Sequence, residues 1–209
     1  RNNRTNDYIS KVYNSNIASD VSLVGSDIND NKSDNTEATL QVDYQTSLGK
    51  NQMFEVGGKG IMRQVYSNIV YSGLNTRPNN QLDYDQNVAA GYASYTFSTK
   101  DKWSIKLGAR YEYTDIQANQ LEATQPLDIP SYSNLVPSVN LSKTFKKGQA
   151  VKLGYNRRLQ RPGIQFLNPN VNASNPQNIS YGNPNLKPEL TDQFELGTSF
   201  FKNTLYVNV

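Results

Sequence analysis

The sequence predicts an all-β fold, an antiparallel transmembrane β-barrel of which about eight or nine strands are present as a fragment of a larger barrel. Three observations lead to this prediction. Apolar and polar residues alternate with a period of two, short and long connections alternate between these segments, and a polar composition coexists with many aromatic residues. Together they favour strands that have one apolar face and one wet face.

The composition is too polar for a dry core and too aromatic for a disordered chain. Among 209 residues, 36% are hydrophobic and 11% are aromatic, with 14 tyrosines. The mean hydropathy is −0.70. Globular domains are usually more apolar, and disordered chains are poor in aromatic residues. A barrel with a polar interior and polar loops explains both features.

The order of the predicted elements is strand, tight turn, strand and long loop, repeated four times. Alternation is weak from Tyr8 to Val24 and becomes clear at Thr36, where Leu40, Val42 and Tyr44 share one face. Tight turns are predicted at residues 49–52, 99–102, 146–149 and 202–203. Long polar loops are predicted at residues 25–35, 72–82, 115–133 and 161–189. Transmembrane barrels have this alternation of short turns on one side and long loops on the other.

The segment from Gly25 to Asn35 partly matches a calcium-binding loop. Asp27, Asn29 and Asn31 fit its first three positions, but Lys32 replaces the required glycine. A solvated loop is therefore the prediction here.

Charged residues fall on the face opposite the apolar residues of each predicted strand. A dry sandwich core could not accept them unpaired, whereas the water-filled interior of a barrel could. The candidate lumen-facing residues are Lys59, Arg63, Lys106, Arg110, Glu112, Arg158 and Glu195.

Aromatic residues cluster near both ends of the predicted strands. The segment from Trp103 to Tyr113 covers about 25 Å along the membrane normal, which matches an outer-membrane apolar band. We interpret these residues as two girdles, with aromatic pairing in a soluble sheet as the alternative. The girdle residues are Phe54, Trp103, Phe145 and Phe200 near the turns, and Tyr66, Tyr111, Tyr113 and Tyr155 near the loops.

Two motifs carry a more specific signal. One is Arg157-Arg158-Leu159-Gln160-Arg161-Pro162, followed by Leu167-Asn168-Pro169, and the other is the run GNPNLKPE at residues 182–189. With the strand ending Phe194-Glu195-Leu196-Gly197, they resemble the late barrel strands of TonB-dependent outer-membrane receptors. The resemblance is closest to the outer-membrane β-barrel family of Bacteroidota and is specific over about forty residues.

The resemblance implies a receptor with a plugged barrel of about 22 strands in the bacterial outer membrane. Such a receptor imports a siderophore, glycan or peptide at the expense of the proton gradient through TonB. Residues 1–209 would be part of one barrel domain, without the plug and the amino-terminal regions. The implied partners are lipid, lipopolysaccharide, the rest of the barrel and plug, TonB and a surface lipoprotein. The loops 72–82, 115–133 and 161–189 would carry ligand recognition.

Individual roles follow for the two motifs. By parity Arg157 lies on the lipid face, where it would contact lipopolysaccharide phosphates, and Arg158 lines the solute path; local ion pairs are the alternative. The second motif would shape the return of the chain into the barrel, with Leu186 as an anchor. The motif-loop residues are Arg161, Pro162, Asn168, Pro169, Gly182, Asn183, Pro184, Leu186, Lys187, Pro188 and Glu189; Lys187 and Glu189 could pair.

The sequence argues against an enzyme. It contains no histidine and no cysteine, so the commonest general base and the thiolate metal ligands are absent. No cofactor is predicted. No nucleic-acid partner is predicted either, because the net charge of +3 is spread along the chain and forms no basic patch. Two alternatives stay open: a complete small barrel acting as an anchor or adhesin, and a soluble β-sandwich binding module.

Overall fold

The computed structural model describes residues 2–14, 22–73, 79–120, 127–145, 149–169, 172–175, 178–202 and 205–208. The long strands are β1 (Asn2–Asn14), β2 (Ser22–Gly49), β3 (Gln52–Gly73), β4 (Asn80–Ser98), β5 (Trp103–Gln120), β6 (Tyr132–Thr144) and β7 (Ala150–Gln160). One helical turn, α1 (Ile164–Leu167), follows. The remaining strands are β8 (Asn172–Asn175), β9 (Asn178–Ser180), β10 (Glu189–Lys202) and β11 (Leu205–Asn208). No helix among these residues is long and apolar enough to cross a membrane.

Nine of these strands form one antiparallel sheet in the order β1-β2-β3-β4-β5-β6-β7-β10-β11. Within the described part of the chain no ladder joins β1 to β11, so the sheet is open, as in a fragment of a barrel. Strands β8 and β9 form a separate small hairpin inside the long connection. The predicted fold class and the predicted starts of β5 at Trp103 and of β7 at Ala150 are confirmed.

The two faces of the sheet differ as the alternation predicted. On one face, here called the apolar face, large side chains are open to the surroundings, with Leu40 74% and Phe194 79% exposed. The other face, here called the polar face, carries the charged residues of β3 and those of β5 as far as Glu112. In a soluble sandwich a second sheet would cover this face, whereas here its large apolar side chains are exposed, as in a membrane-facing wall.

The apolar face is apolar only over part of the strand length. In β5 the outward residues are apolar or aromatic from Trp103 to Tyr113, and Asp115 follows at the next outward position. Farther along, Gln64 of β3 pairs with Asp85 of β4, which pairs with Gln117 of β5. Strands β2 to β5 therefore continue well beyond the apolar band into a region where the outward residues are polar.

The predicted loop at residues 25–35 is wrong, because this segment belongs to β2. It pairs with β1 on one side and with β3 on the other, for example Asp30 with Asp7 and with Val70. Polar residues with low strand propensity gave no alternation. Ladder hydrogen bonds to two neighbours stabilise the strand regardless of which side chains it carries.

Two other predicted loops are shorter than expected for the same reason. Residues 80–82 belong to β4, and residues 115–120 and 132–133 belong to β5 and β6. The long connection 161–189 contains α1, β8 and β9. Residues 146–148 and 203 in the predicted tight turns lie outside the described residues.

The most buried apolar residues lie on the polar face, beyond the apolar band. They form one cluster, here called the apolar cluster, of Val65, Leu82, Tyr84, Ile116, Ala118, Ile129 and Leu167. Five of them come from β3, β4 and β5, while Leu167 comes from α1. The connection after β7 therefore folds back over the sheet and covers this cluster.

Candidate functional site

The first motif ends β7 and begins a short helical turn. Pro162 has no backbone N–H and cannot continue the ladder after Gln160. The Phe166 N–H donates to the Gly163 carbonyl over 2.9 Å, and the Asn168 N–H donates to the Ile164 carbonyl over 2.9 Å. The next residue is Pro169, which prevents a longer helix.

The two motifs bind each other through their backbones. The Gly182 N–H donates to the Asn168 carbonyl over 2.8 Å, and the Asn183 N–H donates to the Phe166 carbonyl over 2.7 Å. Gly182 is buried, and a Cβ added there would lie 2.5 Å from the Phe166 carbonyl oxygen and 2.6 Å from that of Asn168. Only glycine permits this approach. Residues 161–169 and 180–186, paired in this way, are called the motif clamp below.

The run after Gly182 forms a tight turn. The Asn183 side chain accepts a hydrogen bond from the Asn185 N–H over 3.0 Å, and the Leu186 N–H donates to the Asn183 carbonyl over 3.3 Å. Asn followed by Pro184 is a usual start of such a turn. This turn directs the chain into β10 at Glu189, as the sequence predicted for this motif.

The anchor of the clamp is a different residue from the one predicted. Leu186 is 40% exposed, whereas Leu167 is 1% exposed and packs into the apolar cluster. Among the described residues no salt bridge joins Lys187 to Glu189. The signal for Leu167 was present in the sequence, since Ile164 and Leu167 are apolar residues at helical spacing within a Pro- and Asn-rich segment.

A buried carboxylate ties the clamp to the sheet. Glu112 of β5 forms salt bridges with Arg161 and with Arg110, the latter over 2.6 Å. The Glu112 side chain is 5% exposed, and Arg161 Nε donates to Thr114 Oγ1 over 3.4 Å. Burial and the nearby Arg110 cation lower the pKa of Arg161, which still leaves the guanidinium charged at neutral pH. The buried Glu112 carboxylate, paired with both guanidinium groups, thus fixes the position of Arg161 against β5.

The other candidate lumen-facing residues also lie on the polar face, but they are not gathered into one site. Lys106 forms a salt bridge with Glu55, whose carboxylate also accepts from Ser94. Arg63 Nε donates to Asn35 Oδ1 over 3.4 Å. Lys59, Arg158 and Glu195 form no salt bridge with the described residues. Their role in a solute path stays a prediction.

Arg157 lies on the apolar face and is already paired. Its Nε and Nη2 donate to the two carboxylate oxygens of Asp192 over 2.8 and 2.9 Å, and the Tyr155 hydroxyl donates to Asp192 over 3.0 Å. A lipid phosphate would therefore compete with Asp192 for this guanidinium. The lipopolysaccharide contact of Arg157 stays a prediction, and the local ion pair is what the structure contains.

The aromatic residues proposed as girdles do not all lie at one level. Trp103, Tyr111, Tyr113 and Phe145 are 40 to 56% exposed. Tyr66 instead pairs with Asp34 and Asp83 in a polar cross-strand row. Phe54 is half-buried, Tyr155 packs on Phe194 with ring centroids 5.0 Å apart, and the Phe200 side chain lies outside the described residues. The girdles stay a prediction, best supported in β5.

A pocket of about 670 Å³ lies between the motif clamp and the portions of β2, β3 and β4 beyond the apolar band. The clamp contributes Gln165, Phe166 and Tyr181, and the strands contribute Asn31 and Tyr71 among others. None of the described residues that line it is charged. A second concavity of about 550 Å³ on the same face is lined by Asp43, Glu55, Lys106 and Arg110 among others. No pattern in the sequence indicates the first pocket, because its walls come from segments far apart in the chain.

Carboxylates of the polar face are held by neighbouring side chains. Within the described ranges there is no group of three or more potential metal ligands. Glu112 and Glu55 form salt bridges with arginine or lysine. The Glu55 carboxylate also accepts from the Ser94 hydroxyl, and Asp43 accepts from the Tyr92 and Gln41 side chains.

Comparison with known proteins defines the relationship. The model described as "Outer membrane protein beta-barrel family" matches residues 1–209. The chain is similar to the ferric citrate transporter FecA in its unliganded form, with 13% identity, a TM-score of 0.61 and coverage of 93% of this chain and 28% of that one. It is also similar to the Serratia marcescens hemophore receptor HasR, solved with its hemophore HasA and heme, with 13% identity, a TM-score of 0.58 and coverage of 95% and 32%. The chain thus spans about a third or less of the length of these two solved chains. No curated protein matched in the sequence comparison.

Proposed function

Because the chain belongs to the outer membrane protein β-barrel family, we propose that it is a barrel segment of a TonB-dependent receptor that imports a large or scarce solute. Its location is the bacterial outer membrane. The fold similarity to an outer-membrane transporter and a hemophore receptor supports the transport class. The energy source, the partners and a Bacteroidota origin are part of the proposal.

The observation that carries the proposal is the motif clamp on the polar face. A wall that only anchored the protein in lipid would need no ordered segment over its interior side. Here Leu167 is 1% exposed and Glu112 holds Arg161, so the connection after β7 is fixed at the outer end of the strands. An ordered entrance above a polar interior is what solute capture requires.

The proposed roles of single residues follow from the same geometry. Arg158 is exposed on the polar face and makes no salt bridge with the described residues, so it is available to line a solute path. TonB and a plug would act through segments other than residues 1–209. A surface lipoprotein would meet the outer ends of β2 to β5, which extend beyond the apolar band.

Two measurements test the proposal. The native polypeptide is purified from outer membranes in detergent, and its intact mass and peptide map are determined. We expect a mass several times 23.5 kDa, and growth on the imported solute that is lost when TonB is deleted. A native mass near that of this chain would refute the transporter and favour a small barrel acting as an anchor or adhesin.

A further inference from the structure

The pocket under the motif clamp differs in chemistry from the rest of the polar face. Its polar wall is made of amide and hydroxyl groups, from Asn31, Ser33, Ser67, Tyr71, Gln165 and Asn168. The other concavity on this face includes both acidic and basic residues. An anionic ligand such as a metal–carboxylate complex would lose its hydration here without meeting a cation, which is costly. The described lining therefore favours an uncharged ligand.

Two aromatic rings stand at the rim of this pocket. Phe166 is 58% exposed and Tyr181 is 77% exposed, although both belong to a clamp whose backbone is fixed by hydrogen bonds. Aromatic rings at such exposure provide rigid apolar surface next to polar groups. The C–H face of a pyranose ring packs on such a surface while its hydroxyls reach the neighbouring amides.

One buried polar atom in the wall lacks a partner. Asn31 Oδ1 is buried and accepts no hydrogen bond from the described residues. A buried acceptor without a partner is unfavourable, and a ligand hydroxyl would satisfy it. Amide side chains both donate and accept, as sugar hydroxyls do.

We propose that the pocket between the motif clamp and β2 to β4 binds a neutral oligosaccharide, with Phe166 and Tyr181 as stacking surfaces. A peptide is less favoured because extended peptides add to a sheet edge, and this pocket lies on the face of paired strands. The volume of about 670 Å³ is within the usual range of ligand pockets, about 300–1,000 Å³. The oligosaccharide would be the substrate of the receptor proposed above, so its role in the cell rests on that proposed function.

Binding is measured by calorimetry on the native full-length protein in detergent. The probes are neutral α- and β-linked gluco-, manno- and xylo-oligosaccharides, with ferric citrate and oligogalacturonate as anionic probes. We expect at least one neutral oligosaccharide to bind, and Phe166→Ala and Tyr181→Ala each to weaken its affinity about tenfold. Leu186→Ala is the matched control, since Leu186 is exposed on the same clamp but does not line the pocket; its affinity should change less than about twofold.

Correct folding of each variant is checked by heat-modifiable migration on gels. Binding of anionic probes alone, no binding of any neutral probe at millimolar concentration, or equal affinity in Tyr181→Ala and the unsubstituted protein would each overturn the inference. Calorimetry requires no TonB, so the two proposals can fail separately. TonB-dependent uptake without oligosaccharide binding would support the receptor and refute the ligand class. Oligosaccharide binding without TonB-dependent uptake would support the binding site and refute the transporter.

Discussion

Replacing Gly182 with alanine should open the motif clamp without affecting the barrel wall. The backbone of Gly182 is not in the left-handed region, so alanine can adopt its conformation and only space is at issue. The added Cβ would lie within 2.7 Å of three backbone atoms, namely the carbonyl carbon and oxygen of Phe166 and the carbonyl oxygen of Asn168. Backbone cannot yield as a flexible side-chain end can, so the two motifs must separate.

The magnitude follows from the hydrogen bonds that join the motifs. Separation breaks the bonds from Gly182 N–H and Asn183 N–H, each of which contributes about 0.5–1.5 kcal/mol. The clamp should therefore open about 5–150 times more often, which corresponds to about 1–3 kcal/mol. Hydrogen exchange read by mass spectrometry should show this increase in peptides covering 164–169 and 181–186, and an added protease should cleave the 161–189 connection faster.

A matched glycine provides the control. Gly197 belongs to the second motif's strand, and a Cβ there would meet only Lys152 Cβ at 3.9 Å, which is ordinary contact. Gly197→Ala should leave exchange and cleavage unchanged. Equal exchange rates in Gly182→Ala and the unsubstituted protein would refute the reasoning that backbone contact requires this glycine.

Three further predictions concern the supports of the clamp and the lipid face. Glu112→Ala leaves Arg110 and Arg161 without their shared anion and should lower the free energy of clamp docking by about 3–5 kcal/mol, measured by hydrogen exchange. Leu167→Ala should lower it by about 2–5 kcal/mol because a fully buried side chain is removed, measured by the same exchange. Arg157→Ala should reduce detergent resistance of the outer membrane if the residue contacts lipopolysaccharide phosphates, and it should also free Asp192.

Each of these predictions has a control within the chain. Glu195→Ala and Leu186→Ala remove an exposed carboxylate and an exposed leucine, and neither should change exchange in the clamp. Arg158→Ala is the control for Arg157→Ala, because it removes the adjacent guanidinium from the other face of the sheet. Normal insertion and unchanged detergent resistance in Arg157→Ala would argue against the lipid role and leave the ion pair with Asp192 as its only function.

The sequence alone determined the class of the fold and the positions of most strands within the apolar band. In β5 the alternation from Trp103 to Tyr113 identified the strand, its start and its outward face, because one side contacts lipid and the other does not. The motif around Gly182 was recognised as shaping the return of the chain. The parity of Arg157 and Arg158 assigned them to opposite faces, and the ladder between β7 and β10 agrees with this.

What only the tertiary structure decided lies where the apolar contrast ends. Beyond the apolar band both faces of β2 carry mostly polar residues, so residues 25–35 show no alternation and form a strand only because β1 and β3 pair with them. Three features arise from segments far apart in the chain. They are the salt bridge between Glu112 and Arg161, the burial of Leu167 and the pocket lined by uncharged residues. Periodicity reports the surroundings of one strand, whereas these contacts depend on how the long connection folds back over its neighbours.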